Sequence, residues 1–178
     1  MKAFDELVLV NYSYPGCVPL RNIMRLPKER AFQLAGKLAE EHPETAAFYR
    51  FADFENYYAL RKAQDRELYE RFLALGGRPE EEHPLSFVLE GSEYLRGWFG
   101  DGVKTVLPLK GIAPWHISFT IGDSGAVFQK NGTAELLTLS SLRRLTEENG
   151  GDLERILRHT GYHYVEAQLW CDAYVNTP

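Results

Sequence analysis

Between His83 and Asp123 apolar and polar residues alternate with a period of two. Leu85, Phe87 and Leu89 fall on one side of a run, with Ser86 and Glu90 on the other. Trp115, Ile117, Phe119 and Ile121 oppose His116, Ser118 and Thr120 in the same way. Such alternation marks strands with one buried face, so a helical bundle is excluded. The stretch predicts strands over 84–90, 103–109 and 115–121. A short helix over Ser92–Phe99, capped by Ser92, and a Gly-Asp-Gly turn at 100–102 join the first two. Gly111 and Pro114 separate the last two by too few residues for a helix, which predicts antiparallel neighbours.

The flanking sequence supplies the other layer. Glu6–Tyr12 is apolar on both faces over Leu7–Val10 and reads as a central strand. Pro15, Gly16 and Pro19 mark a long loop. Pro27 opens a helix running to Glu41, with Ala31, Leu34, Ala35 and Leu38 as its buried stripe. Ala46–Phe51 reads as a short strand. Asp53 caps the longest helix, Phe54–Leu75, which Gly76 and Gly77 end. Gly122–Gly125 makes a turn into Ala126–Gln129, and Asn131-Gly132 signals a hairpin between that run and Ala134–Leu139. Two short helices follow, one capped by Ser140 or Ser141 and one by Asp152, the second ended by Gly161. Tyr162–Cys171 is the last strand. Its Val165, Ala167, Leu169 and Cys171 point to the core. Tyr164, Glu166, Gln168 and Trp170 share the other face, a mixture found at binding interfaces. The reading is a single α+β domain over 1–178, with a largely antiparallel sheet and helices mainly on one face.

Composition narrows the function classes. Of 178 residues, 44% are hydrophobic and 25% charged, as in ordinary globular domains. No apolar run is long enough to span a bilayer, and the acid-bearing start MKAFDELVLV reads as a strand, not a signal peptide. No membrane association is expected, and the expected compartment is the cytoplasm. The two cysteines, Cys17 and Cys171, are expected to be reduced. A formal net charge of −5 argues against direct nucleic-acid binding.

Catalytic motifs are few. Gly122-Asp123-Ser124 resembles the nucleophile turn of GDS-type hydrolases, but it lies two-thirds along the chain and no C-terminal Asp-x-x-His accompanies it, so turn formation explains it as well. His159 and His163 have zinc-compatible spacing on a helix, but Gly161 lies between them, so no metal is expected there. No phosphate loop is present and no cofactor is expected. The candidates are therefore contacts with a protein partner. Arg61 and Asp65 stand one turn apart inside the apolar stripe of the long helix, where they form a structural ion pair or a contact. Glu80, Glu81 and Glu82 form the sharpest acidic run, and Asp101 adds a charge in its turn. Tyr164, Glu166 and Trp170 complete the set.

The blocks FYRFADFENYY, RFLALGGRPEEEHPLSFVLEGSEYLRGWFGDGV, WHISFTIGDS and YVEAQLW resemble short proteins of phages and conjugative elements of gut Firmicutes, loosely the anti-CRISPR proteins that inhibit type II Cas9. The likeness spans Phe48 to Trp170. It implies a cytoplasmic, non-enzymatic inhibitor that binds the Cas9–guide RNA complex and blocks DNA binding or cleavage, with acid clusters engaging the arginines that read the PAM or the positively charged heteroduplex channel. It assigns no functional residue. A mobile-element accessory protein with another partner and a small hydrolase using Ser124 are the alternatives.

Overall fold

The computed structural model describes residues 3–175. Its centre is a six-stranded sheet built from β1 (Val8–Ser13), β2 (Leu85–Leu89), β3 (Val103–Pro108), β4 (Ile117–Ile121), β5 (Leu137–Thr138) and β6 (Val165–Leu169). The order is β3-β1-β2-β6-β4-β5 and every strand pair is antiparallel. The last strand is thus an interior one. β6 pairs with β2 through Phe87–Ala167 and with β4 through Phe119–Ala167, and all five of its residues are buried.

One face carries the main core: Leu9, Phe87, Phe119, Ala167 and Leu169 pack with Leu142 of α5 (Leu139–Glu148) and Leu153 and Leu157 of α6 (Leu153–Thr160). The other face is covered by the longer helices, α1 (Lys28–Glu41) and α2 (Phe54–Ala74), with α4 (Ser124–Asn131). The helices lie mainly over this face of a single α+β domain. The short α3 (Glu93–Trp98) begins at Ser92, whose side chain accepts from Leu95 N. No described helix is long and apolar enough to cross a membrane.

Several local expectations change. Thr138, not Ser140 or Ser141, caps α5 by accepting from Ser141 N, and Asp53 precedes α2 without a side-chain cap bond. β3 and β4 are not neighbours. They run in the same direction with β1, β2 and β6 between them, and the connecting residues 109–116 bury Leu109 and Ile112 in the core. Ala46–Asp53 is a 3-10 helix, not a strand. Ala126–Gln129 belongs to α4. Asp123 caps that helix by accepting from Ala126 N at 2.6 Å, and Gly132 ends it in the left-handed region at φ 71°. Asn-Gly serves a helix C-terminus as readily as a hairpin.

Candidate functional site

The two helical covers leave the β1–β2–β6 part of the second face partly open, and a cleft of about 800 Å³ lies there. Its walls are aromatic. Tyr14 and Phe48 come from the loop after β1 and the 3-10 helix, Tyr57 from α2, and Tyr94 and Trp98 from α3. Ring contacts tie these walls together: Tyr14 meets Phe48 edge-on at 5.4 Å, and Tyr94 stacks on His163 at 4.5 Å.

The floor is polar and comes from β6. Glu166 is 6% exposed. Its Oε1 accepts from Ser86 Oγ at 3.0 Å and its Oε2 from Ser124 N at 2.7 Å. Tyr164 donates its hydroxyl proton to Asp123 Oδ2 at 3.2 Å. Gly122 makes this corner possible: its φ is 85°, and a Cβ there would meet the Tyr162 ring at 2.5 Å. Arg61 lines the cleft from α2, and its buried Nε has no hydrogen-bond partner.

The charges perturb one another. Burial and then the Asp123 charge push the Glu166 carboxyl above its ordinary range, against the Ser124 N–H that favours the anion. Burial, Asp123 and Glu166 raise the Tyr164 hydroxyl. Burial works against the Arg61 charge, but Asp65, Tyr57, Glu166 and Asp123 outweigh it and hold the guanidinium protonated. Perturbed groups gathered in an aromatic cleft are a recognised mark of a functional site.

The sequence candidates are distributed unevenly over this geometry. Glu166 and Tyr164 belong to the cleft floor and are buried, so they are not an open interface. Trp170 is 0% exposed and meets no partner: it stacks on Phe72 at 5.7 Å and donates to Ser118 Oγ at 2.8 Å. The expected second face of β6 is covered because α2 lies over it. Ser118, Gln168 and Thr120 continue a buried hydrogen-bonded row there. Arg61 Nη2 lies 3.3 Å from Asp65 Oδ1, and His83 Nδ1 lies 2.7 Å from Asp65 Oδ2. Asp65 is itself 0% exposed and holds two basic groups, so it is no surface contact.

The acidic run does not act as one patch. Glu82 is exposed, Glu81 half-buried, and Glu80 turns its carboxylate toward Cys171 and His116. Asp101 is exposed and pairs with Arg96 at 2.9 Å. Ser124 is buried, and its Oγ accepts from Gln64 Nε2 at 2.8 Å. The long helix therefore contributes Gln64 to its inner face, a residue the apolar pattern passed over. Cys17 and Cys171 are both free thiols.

No protein-family model matches the chain, and no solved structure matches it. Two curated proteins match part of it. Isoleucine–tRNA ligase of Teredinibacter turnerae is 30% identical over 79 residues, 44% of this chain and 8% of the ligase. The same enzyme of Gloeobacter violaceus is 36% identical over 61 residues, 32% of this chain and 6% of the ligase. The chain spans less than a tenth of either relative, so these similarities assign it to no family.

Proposed function

We propose that this chain works by binding, and that the cleft takes a compact ligand with a flat ring and an attached amine. The observation that carries the reading is the pairing of aromatic walls with a buried carboxylate floor in a cavity of about 800 Å³, a volume usual for small-ligand sites. Rings stack on Tyr57, Tyr94 or Trp98. An ammonium is attracted to the same faces and to Glu166 and Asp123. Arg61 feels both acids but pairs most closely with Asp65, so its one charge is shared among three carboxylates.

Thermal melts with tyramine, tryptamine, p-cresol and agmatine test this. Ligand at a hundred times its Kd adds about 2.7 kcal/mol, or roughly 5–11 °C for a domain of this size. The aromatic amines should give that rise, while p-cresol lacks the amine and agmatine the ring. Glu166→Gln should abolish the rise. Equal shifts with p-cresol, or none with either aromatic amine at millimolar concentration, would overturn the reading.

A second reading is the inhibitor of a Cas9–guide complex, acting in the cytoplasm, or a mobile-element protein with another protein partner. It rests on the sequence blocks. The exposure of Glu80, Glu82 and Asp101 at one end of the sheet supports it. A cleavage assay with purified Cas9 and guide tests it: cleavage should fall with added protein and recover when all three acids are changed to lysine. Undiminished cleavage removes this reading and leaves the cleft proposal standing.

A further inference from the structure

Three segments far apart in sequence bring sulfur, nitrogen and oxygen together away from the cleft. Glu80 lies in the connection from α2 to β2, His116 closes the 3-10 turn leading into β4, and Cys171 follows β6. Cys171 Sγ lies 3.2 Å from Glu80 Oε2, and His116 Nε2 lies 3.5 Å from Glu80 Oε1. One ligand atom from each of the three residues falls within 4.8 Å of the others. A tetrahedral zinc with bonds of about 2.0–2.3 Å separates its ligand atoms by roughly 3.3–3.8 Å. The side chains thus need only a small closing movement.

The surroundings hold this arrangement in place. Glu80 N and Glu81 N both donate to Trp170 O, and Trp170 N donates to His116 O, so the three backbones are locked beside one another. Arg25 clamps Asp172, the next residue after Cys171, through both carboxylate oxygens. His116 Nδ1 lies 2.8 Å from Tyr174 Oη. That oxygen can accept the Nδ1 proton and leave the Nε2 lone pair toward the cluster, the support that ligating histidines usually have. Cys171 is 1% exposed and the Glu80 side chain 61%, so the cluster has a buried sulfur and an open side.

We propose that Glu80, His116 and Cys171 bind a divalent ion of the zinc class, with a fourth position open to solvent. Thiolate, imidazole and carboxylate suit this ion in type, and their two negative charges balance its two positive ones. On binding, the Cys171 S–H bond breaks, its proton passes to solvent, and the sulfur electron pair forms the bond to the metal. Nothing is oxidised or reduced.

Cobalt(II) is the probe. The full chain, reduced and treated with chelator, is titrated with Co²⁺ and then with Zn²⁺. We expect visible ligand-field bands and a near-ultraviolet thiolate-to-cobalt band that saturate at one equivalent and vanish as zinc displaces cobalt. Cys171→Ser should lose the thiolate band, and Cys17→Ser should keep it. Glu80→Gln, at an exposed side chain, keeps the test valid if the buried variant does not fold, and should weaken cobalt binding at least about tenfold. Tyr174→Phe should weaken it by about tenfold as well. No thiolate band at equimolar metal, a band that follows Cys17, or unchanged affinity in Glu80→Gln would overturn the assignment.

Discussion

At the scale of single residues, Glu166 joins stability to recognition. In the unfolded chain it ionises at its ordinary value, whereas burial and Asp123 make the folded protein keep the proton to higher pH. The folded state therefore binds more protons between those two values. Stability falls as pH rises through that window, and the cost is present in full above it. Glu166→Gln removes this titration. Its amide can place the carbonyl at Ser124 N and the NH₂ at Ser86 Oγ, so the two bonds survive. The variant should melt no lower than the parent at about pH 8, and its stability should be flatter in pH above the ordinary glutamate value. A variant that melts well below the parent at that pH would show that the charged carboxylate stabilises the fold. Ser124 has a different role. With its Oγ accepting from Gln64 and its N–H given to Glu166, it fastens α4 to α2 and β6. We expect no adduct on Ser124 after treatment with a fluorophosphonate, and mass spectrometry showing one would reinstate the hydrolase reading.

At the scale of elements, α2 is the member whose inner face carries charge. Asp65 sits between Arg61 on its own helix and His83 on the connection to β2, so it holds the helix to the start of β2, the neighbour of the β6 floor. Asp65→Ala leaves the buried Arg61 guanidinium without its nearest counter-charge, a loss of about 3–5 kcal/mol for comparable buried pairs. The melting temperature should fall by roughly 6–20 °C. A change of a degree or less would mean that the pair is solvated and free to face a partner. The sequence showed the helix, its limits and this pair, because helical spacing and terminal glycines are local signals. It did not show Gln64 as an inward residue, because a buried amide depends on Ser124 sixty residues away. The same limit explains α4, where Asp-Ser-Gly and Asn-Gly fit a cap and a C-terminus as well as two turns. It also explains β6, whose polar face is covered by an element that alternation cannot place. Tyr164 and Glu166 were picked out for their mixture of ring and charge, but as an exposed face. Tyr57, Tyr94 and Trp98 joined them only when α2 and α3 closed over one face of the sheet.

At the scale of the whole molecule, the topology makes the chain's last strand the link between two parts of the sheet. β3, β1 and β2 form one part, and β4 with β5 the other. Only β6 pairs with both, to β2 on one side and β4 on the other. These contacts are distant in sequence: Phe87 and Ala167 face each other across 80 residues. Closing such loops is slow and is rewarded only when the pairing forms. Neither part can bury its main-core face alone, since Val165, Ala167 and Leu169 supply the middle of that core. The same strand places Glu166 in the cleft and delivers Cys171 to the cluster with Glu80 and His116. A chain ended at Gly161 should therefore lose more than a strand. We expect it to show no cooperative thermal transition by circular dichroism and no protected amides in β2 or β4 by hydrogen exchange, since those amides should open only with global unfolding in the full chain. A truncated chain that still melts cooperatively, with β2 and β4 protected, would mean that the two parts fold independently and that β6 docks onto a sheet already formed.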